Sequence, residues 1–279
     1  MTETLADALR RGVAALRPIV GGGAARDARA ILAWAAEVDP MQIALSRDHS
    51  LGAAARARFD AGLADRARHR PVAQIIGQRM FWGRTFRVTA DVLDPRPETE
   101  TIIACALEHQ ASSVLDLGTG SGVLLLTLLA EWPEAQGVAT DISRAALDVA
   151  ERNAVGLGVD QRVAFQETNW LEGVSGPYDL VVSNPPYIAA NDLAALAPDV
   201  RDWEPHVALS PGVDGLSAYR SIASGVCPVL APNGRVFVEC GIDQASSVCK
   251  LFEDVGAKNT IIHRDLNGHE RVVEASGFR

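Results

Sequence analysis

The sequence lacks any long hydrophobic run. Its longest nearly unbroken apolar stretch, from Val123 to Ala130, is far shorter than the roughly 20 residues that a membrane-spanning helix needs. The N-terminus carries Glu3 and Asp7 in place of the basic and apolar segments of a secretory signal peptide. We therefore expect a protein that has no membrane partner and is located in the cytoplasm.

Cysteine is scarce. The chain has four cysteines among 279 residues, with neither a Cys-x-x-Cys pair nor a histidine at the spacing of metal ligands. A chain of this length buries enough surface to fold without a disulfide or a structural metal. The pattern therefore predicts free thiols in a reducing compartment, and no metal site is expected.

Lysine is absent from residues 1–90, which contain 14 arginines and 8 acidic residues and so carry a net charge of +6. Residues 91–279 contain 12 basic and 27 acidic residues, a net charge of −15, and the whole chain carries −9. Duplex-binding proteins normally present positive charge to the phosphates. The acidic part argues against a stable nucleic-acid partner, whereas the basic part leaves that question open.

Residues 1–75 show the spacing of amphipathic helices, with apolar residues such as Leu5 and Leu9 at helical intervals and no alternating β-branched run. Residues 76–93 then contain aromatic and β-branched residues around a central glycine, a pattern typical of a β-hairpin. We therefore expect a helical N-terminal domain over 1–75, a hairpin linker over 76–93 and a larger domain over 94–279.

In the larger domain, predicted strands and helices alternate. Strands are predicted at residues 114–117, 138–140, 162–166, 179–183, 235–240, 259–264 and 271–275. Helices are predicted at residues 97–108, from the glycine-rich turn through 129, and at 143–156 and 216–230. Strands separated by helices predict an α/β domain whose parallel sheet is covered on both faces.

A glycine-rich turn follows the first of these strands and opens a helix. It consists of Gly118, Thr119, Gly120, Ser121 and Gly122. Glycines permit a tight turn and let a ligand approach the backbone amides at a helix N-terminus. A dinucleotide-binding turn would require a third glycine where Val123 stands. The spacing resembles motif I of S-adenosylmethionine (AdoMet) methyltransferases, although a purely structural turn is the alternative.

Asp141 ends the next predicted strand, where an acidic side chain can accept hydrogen bonds from both hydroxyls of a ribose. Alternatively, Asp141 caps the helix that follows. The glycine turn and the strand-end acid together predict a nucleoside-binding site.

The segment Asn184-Pro185-Pro186-Tyr187 follows the fourth predicted strand. Two prolines cannot continue a sheet ladder, so the chain leaves the sheet as a rigid extended turn at its carboxyl edge. Asn184 Oδ1 and a main-chain carbonyl near Pro185 can accept both N–H bonds of a planar amide or amino group. Tyr187 can pack on that flat group, and positioning then replaces a strong general base. Alternatively, the two prolines only end the strand and begin a loop, without a role in binding.

With these motifs the chain resembles the HemK-type release-factor glutamine methyltransferases. The resemblance extends over nearly the whole sequence. It rests on residues 70–77, 81–86, 95–100 (Pro-Arg-Pro-Glu-Thr-Glu), 115–122, 184–187, Glu204-Pro205, 214–216, 265–268 and 271–273. Asn-Pro-Pro-Tyr alone is shared with N6-adenine methyltransferases, so the segment at 95–100, Glu204-Pro205 and the helical N-terminal region carry the specificity.

The resemblance implies a Rossmann-like class I AdoMet-dependent methyltransferase sheet and a substrate-recognising N-terminal domain. It implies methyl transfer to the side-chain nitrogen (N5) of the glutamine in the Gly-Gly-Gln motif of peptide chain release factors, with S-adenosylhomocysteine as product. It places AdoMet contacts on residues 118–122, Asp141, Trp170 and Asn184, and glutamine contacts on Asn184, Pro185, Pro186 and Tyr187, of which Asn184, Pro185 and Tyr187 are the predicted catalytic residues.

Three details stay open at this point. Asn169 stands where the family often has an acid, so an acidic contact to adenine is missing there. Trp170 either covers the adenine or belongs to the hydrophobic core without a contact to the cofactor. The segment at residues 95–100 forms either a capped helix start or a wall of the pocket.

Other functions also fit the motifs. A ribosomal-protein glutamine methyltransferase would share the same site, and an N6-adenine methyltransferase would need a basic, aromatic-lined channel for a nucleic-acid strand. A noncatalytic AdoMet-binding protein is a further alternative. For a release-factor substrate, we hypothesise that Arg56, Arg58 and Arg66 form a basic face that docks an acidic surface of that substrate; ordinary solvated arginines are the alternative.

Overall fold

The computed structural model describes residues 3–45 and 48–278. It divides into two compact units, one formed by Met1–Gln78 with Ala197–Trp203 and the other by Arg79–Leu196 with Glu204–Arg279. The functional assignment of residues 1–75, 76–93 and 94–279 stays a prediction.

The bounds of the elements are as follows. The helices are α1 (Leu5–Val20), α2 (Ala24–Ala36), α3 (Gln42–Leu45), α4 (Ala53–Ala67), α5 (Val72–Ile76), α6 (Glu100–Ala106), α7 (Val123–Glu131), α8 (Arg144–Leu157), α9 (Pro198–Arg201), α10 (His206–Leu209), α11 (Ser217–Val226) and α12 (Ala245–Asp254). The strands are β1 (Gln78–Phe81), β2 (Arg84–Arg87), β3 (Ser113–Leu117), β4 (Gln136–Asp141), β5 (Val163–Glu167), β6 (Tyr178–Ser183), β7 (Leu230–Glu239), β8 (Asn259–Arg264) and β9 (Glu270–Ser276).

The first unit is helical, and its core lies between α1, α2 and α4. Two glycines allow these helices to approach closely. A Cβ at Gly12 would lie 2.7 Å from the Phe59 ring, and one at Gly62 would lie 2.5 Å from Ile31 Cγ2. A larger residue at either position would therefore push the helices apart.

One of the three arginines of the expected docking face is not available at the surface. Arg66 is buried, and its Nε donates to Asp27 Oδ2 at 2.8 Å. Arg58 donates to the carbonyl oxygen of Ala35, and Arg56 lies 3.5 Å from a carboxylate oxygen of Glu3. The docking hypothesis is wrong for Arg66, because this side chain is an internal tie between α2 and α4.

Residues 197–203 belong to this unit although they lie far along the chain. Gln74 Nε2 donates to the carbonyl oxygen of Trp203 at 2.9 Å, and the indole N–H of Trp203 donates to the carbonyl oxygen of Arg68 at 3.0 Å. The guanidinium group of Arg70 lies 5.7 Å from the centroid of the Trp203 ring, within the range of a cation–π contact. The sequence patterns did not predict this return of the chain.

In the second unit, β1 and β2 form the predicted hairpin. Phe81 and Phe86 are buried and meet edge to face, with ring centroids 6.1 Å apart. At the turn, the backbone N–H of Trp82 donates to Glu100 Oε1 at 2.7 Å. The hairpin is therefore packed into the core beside α6.

Seven strands form the main sheet of the described chain, in the order β5-β4-β3-β6-β7-β9-β8. From β5 to β7 the neighbours are parallel, and Leu115 of β3 lies between Val138 of β4 and Val181 of β6. β9 runs antiparallel to β7 and β8. The α/β class is confirmed, with an antiparallel strand near one edge of an otherwise parallel sheet.

Both faces of the sheet are covered. Val114 packs with α6, α7 and α8 on one face, whereas its neighbour Leu115 packs with α11 and α12 on the other. This alternation along one strand follows from the opposite directions of successive side chains. The helix α12 was not predicted, because its apolar residues Val248, Cys249 and Phe252 stand among small and polar ones. The helix predicted over 216–230 ends at Val226, and a short 3₁₀ turn leads into β7.

Within residues 3–45 and 48–278, no helix has the length and apolar character to cross a bilayer. The four cysteines, all within that range, carry free thiols.

Candidate active site

The sheet opens at the carboxyl end of β3. The chain places β4 on one side of β3 and, later, β6 on the other, and open α/β sheets form their binding crevice at such a reversal of strand order. A cavity of about 350 Å³ lies there, entirely within the second unit. Residues that follow β3, β4, β5 and β6 line it, among them Gly118, Asp141, Trp170 and Asn184.

The glycine turn uses its glycines for different purposes. Gly118, Gly120 and Gly122 all have positive φ, at 68°, 56° and 85°. Gly118 and Gly120 line the cavity, as do Thr119 and Ser121. Gly122 does not line it, and a Cβ there would lie 2.7 Å from Leu126 Cδ1. Gly122 therefore permits the tight junction of the turn with α7, and its predicted cofactor contact stays a prediction.

Asp116, in the strand β3, holds the glycine turn through hydrogen bonds. Its Oδ2 accepts from the Thr119 hydroxyl at 2.7 Å and from the backbone N–H of Leu125 at 3.3 Å. Burial raises the pKa of Asp116 to about 7, although these hydrogen bonds act in the opposite direction. Sequence reasoning did not single out this residue, because an acid within a buried strand reveals its partners only in three dimensions.

Asp141 connects the end of β4 to the turn. Its Oδ2 accepts from the backbone N–H of Gly120 at 2.9 Å, and its Oδ1 accepts from that of Ser143 at 2.9 Å. Burial raises the pKa of Asp141 above its usual range. The N-cap of α8 is Ser143, whose side chain accepts from the N–H of Ala146. Asp141 thus does not itself cap the helix, and it lines the cavity.

Trp170 and Asn169 lie on the wall that follows β5. Trp170 is half-buried and packs against the core, and its ring lies 3.7 Å from the position of a Cβ on Gly118. Asn169 donates from Nδ2 to Glu172 Oε1 at 3.2 Å. Trp170 therefore combines a core contact with a face toward the cavity.

Asn184 begins the loop after β6 and lines the cavity with Pro186. Its Nδ2 donates to the Thr99 hydroxyl at 3.1 Å, and that hydroxyl donates to Glu239 Oε2 at 2.6 Å. Glu239 is 1% exposed at the end of β7, and burial raises its pKa to about 7. Thr99 lies in the segment 95–100, for which a pocket wall was one of the two expectations, but its bond to Asn184, 85 positions away, was not predicted. Glu239, 140 positions from Thr99, was not predicted as a site residue.

Pro185 and Tyr187 lie outside the cavity lining. Pro185 is buried, and the Tyr187 side chain packs against the core that contains α11 and α12. The carbonyl oxygen of Tyr187 accepts from Gln244 Nε2 at 2.9 Å. Burial raises the pKa of the Tyr187 phenol to about 12. The structure thus places Tyr187 as a support of the loop, and its contact with a substrate stays a prediction.

The segment before α6 forms the opposite wall. Pro95, Arg96 and Thr99 line the cavity, and Pro97–Thr99 is a 3₁₀ turn. Arg96 Nη2 lies 2.7 and 2.8 Å from the two carboxylate oxygens of buried Glu204. The two alternatives for this segment are therefore compatible, because it begins a helical turn and also walls the cavity.

In the described residues, no group of three or more His, Cys, Asp or Glu side chains is arranged to hold a metal ion. The buried carboxyl groups around the cavity are instead engaged in hydrogen bonds with Thr119, Gly120 and Thr99.

Both parts of the chain match known families. Residues 7–77 match the PrmC N-terminal domain, and residues 92–197 match the methyltransferase small domain. A release factor glutamine methyltransferase from Cereibacter sphaeroides is 52% identical over 97% of this chain and 97% of the relative. A protein of the same name from Caulobacter vibrioides is 44% identical over 88% of this chain and 87% of the relative.

The fold also has counterparts among solved structures. A methyltransferase from Pyrococcus furiosus matches with a TM-score of 0.54 at 14% identity, over 71% of this chain and 91% of that one. This likeness concerns the fold alone. The resemblance drawn from the motifs is confirmed by the full-length relatives and by the two family models: the chain belongs to the release factor glutamine methyltransferase family.

Proposed function

We propose that this protein transfers a methyl group from AdoMet to the N5 nitrogen of the glutamine in the Gly-Gly-Gln motif of peptide chain release factors. The observation that carries the proposal is the Asn184 amide in the cavity wall. Its nitrogen is engaged by Thr99, and no group in residues 3–45 or 48–278 donates to its Oδ1. The oxygen is thus available to accept an N–H bond of an amide substrate.

The cavity fits AdoMet by several features. Its volume lies within the range of small-molecule sites, roughly 300–1,000 Å³. Within the described residues, no atom beyond Gly120 and its two chain neighbours lies within 4 Å of the position of a Cβ at Gly120, so a ligand can approach the backbone there. Each Asp141 oxygen accepts one backbone N–H and keeps a lone pair for a ribose hydroxyl. Trp170 offers an aromatic wall for the adenine.

When bound, AdoMet supplies an electrophilic methyl group on a sulfonium ion. The protein must then improve a poor nucleophile, because the lone pair of an amide nitrogen is delocalised into its carbonyl group. Asn184 Oδ1 and a main-chain carbonyl near Pro185 accept its two N–H bonds, fix the nitrogen and favour positive charge on it. Water takes the released proton.

The relatives named above suggest the macromolecular substrate. In this proposal, release factors are the protein partners, and the helical N-terminal region recognises them. The acidic second unit disfavours a nucleic-acid strand in the cavity, and the reaction takes place in the cytoplasm.

The test is incubation of the protein with methyl-labelled AdoMet and a purified release factor, followed by peptide mass spectrometry. We expect one methyl group on the Gly-Gly-Gln glutamine and none when this glutamine is replaced by glutamate. Parallel reactions contain ribosomal proteins or RNA. Label confined to either of these would contradict the proposed substrate.

A further inference from the structure

Three elements meet behind Asn184. Thr99 lies in the 3₁₀ turn before α6, Glu239 ends β7, and Asn184 follows β6. The hydroxyl of Thr99 accepts from Asn184 Nδ2 at 3.1 Å and donates to Glu239 Oε2 at 2.6 Å. Tyr219 donates from its hydroxyl to the Glu239 carbonyl oxygen at 2.9 Å, which fixes the backbone at this point.

The direction of this hydrogen-bond chain follows from the charge on Glu239. A carboxylate only accepts, so the single hydroxyl proton of Thr99 must point toward it. The Thr99 oxygen then offers its lone pairs, and Asn184 must turn its NH₂ group toward Thr99. As a result, Asn184 Oδ1 is directed to the cavity.

We propose that Glu239 is a positioning residue that, through Thr99, holds the Asn184 amide in the orientation that accepts the substrate N–H. The inference rests on the proposed function for the role of Asn184. Glu239 does not touch the substrate, and no proton passes along the chain during methyl transfer.

Protonation of Glu239 would remove the constraint. A neutral carboxyl can donate to Thr99, whose proton is then free to point toward Asn184, and Asn184 can turn its NH₂ toward the substrate. Burial raises the pKa of Glu239 to about 7, and the neighbouring charges further adjust the pH at which Glu239 becomes protonated. The titratable groups that face Glu239 are Arg271 on β9, Arg96 and Glu98 before α6, Tyr187 after β6, Tyr219 on α11 and Cys240.

The first experiment compares Thr99→Val, Thr99→Ser and Thr127→Val. Thr127 is the matched control, because it is fully buried in α7 and its hydroxyl has no hydrogen-bond partner in the described structure. We expect Thr99→Val to lower kcat about 10- to 100-fold while the AdoMet Kd from calorimetry changes less than about threefold. Thr99→Ser should restore most of the turnover, and Thr127→Val should leave it unchanged. Equal kcat values for Thr99→Val and the wild type would overturn the inference.

The second readout is the pH profile. We expect the wild-type kcat to fall as the pH is lowered through about 7, and Glu239→Gln to lack this acidic limb. An unchanged acidic limb in Glu239→Gln would contradict the role of Glu239.

The third readout needs no substrate. In ¹⁵N-labelled protein, the Asn184 side-chain NH₂ signals are identified by their loss in Asn184→Ala. We expect one proton of this pair to be protected from exchange in the wild type and in Thr127→Val but unprotected in Thr99→Val. A protected proton in a protein that methylates no release factor would refute the proposed function alone. Unprotected wild-type protons in a protein that does methylate release factors would refute the positioning role alone.

Discussion

The two sides of the cavity are built in different ways. On the side of the glycine turn, carboxyl oxygens accept from backbone amides. Asp116 belongs to the strand that precedes the turn, and Asp141 ends the neighbouring strand, 21 positions after Gly120. On the side of Asn184, side chains hold one another across the fold through Thr99 and Glu239. The side of the glycine turn is therefore a rigid backbone surface, whereas the side of Asn184 depends on the orientation of one side-chain amide. Substitutions on the first side should affect binding and stability, and those on the second should affect turnover.

The largest effect should come from Asn184→Ala, which removes the side-chain acceptor. We expect kcat to fall at least about 10²- to 10³-fold, because the loss of one positioned hydrogen-bonding group at a reacting centre has this order of effect. AdoMet affinity, measured by calorimetry, should change little. The exposed Asn259 on β8 provides a control, since Asn259→Ala should turn over normally. A large loss of AdoMet affinity in Asn184→Ala would erase the contrast between the two sides.

Asp141→Ala tests the other side. We expect the AdoMet Kd to rise about 10- to 100-fold, because a partly buried acceptor for hydroxyl groups is lost together with its tie to Gly120. At saturating AdoMet, kcat should recover to within a few-fold of the wild type. Asp148→Ala, which removes an exposed carboxylate on α8, is the control. An unchanged Kd for Asp141→Ala would argue against the nucleoside role of this residue.

Gly122→Ala and Gly120→Ala sharpen the comparison within a single turn. Gly122→Ala should lower the free energy of unfolding by about 2–3 kcal/mol, because it combines a positive φ with a close contact to Leu126. Gly120→Ala should cost only about 1 kcal/mol from its positive φ but weaken AdoMet binding, since its methyl group would point into open space at the cavity. Urea unfolding and calorimetry measure the two quantities. Equal stability losses would mean that the two glycines serve the same purpose.

The smallest effect concerns the pH dependence of stability at Asp116. Its pKa is raised to about 7 in the folded protein, so the stability that it contributes is fully present below its unfolded pKa of about 4 and is lost as the pH rises through 7. The unfolding free energy of the wild type, relative to Asp116→Asn, should therefore fall over the pH unit below 7 by at most about 1.4 kcal/mol, and it should level off above pH 7. A relative stability that stays constant over this range would mean that the Asp116 pKa is not raised.

The same contrast explains how much the sequence could predict. The turn at residues 118–122 and Asp141 are recognisable because their spacing along β3 and β4 itself determines their geometry. The alternation of strands and helices likewise predicted the α/β class. Asn184 was recognised from its own motif and Thr99 only as part of the segment 95–100. The link of Thr99 to Asn184 and to Glu239 was not predicted, because nothing local to these residues indicates a partner on another element.

Arg66 shows the converse error. Its neighbourhood in the sequence is polar and rich in arginine, which is typical of an exposed helix face, yet it is buried against Asp27, 39 positions earlier. The net charge of a stretch of sequence does not distinguish an arginine that is exposed to solvent from one that forms a buried ion pair. The helix α12 was missed for a related reason, since its amphipathic pattern is short and its apolar face becomes clear only against the sheet.

The return of Ala197–Trp203 to the helical unit limits the modularity of this protein. A catalytic fragment cut at residue 79 would still carry Trp203 but would lose Arg68 and Gln74, to which Trp203 is hydrogen-bonded. An exchange of N-terminal units between relatives would likewise separate the two halves of this contact unless residues 197–203 were exchanged as well. The unit that could be exchanged is therefore discontinuous in sequence, because it includes residues 197–203, which lie between the Asn-Pro-Pro-Tyr loop and Glu204.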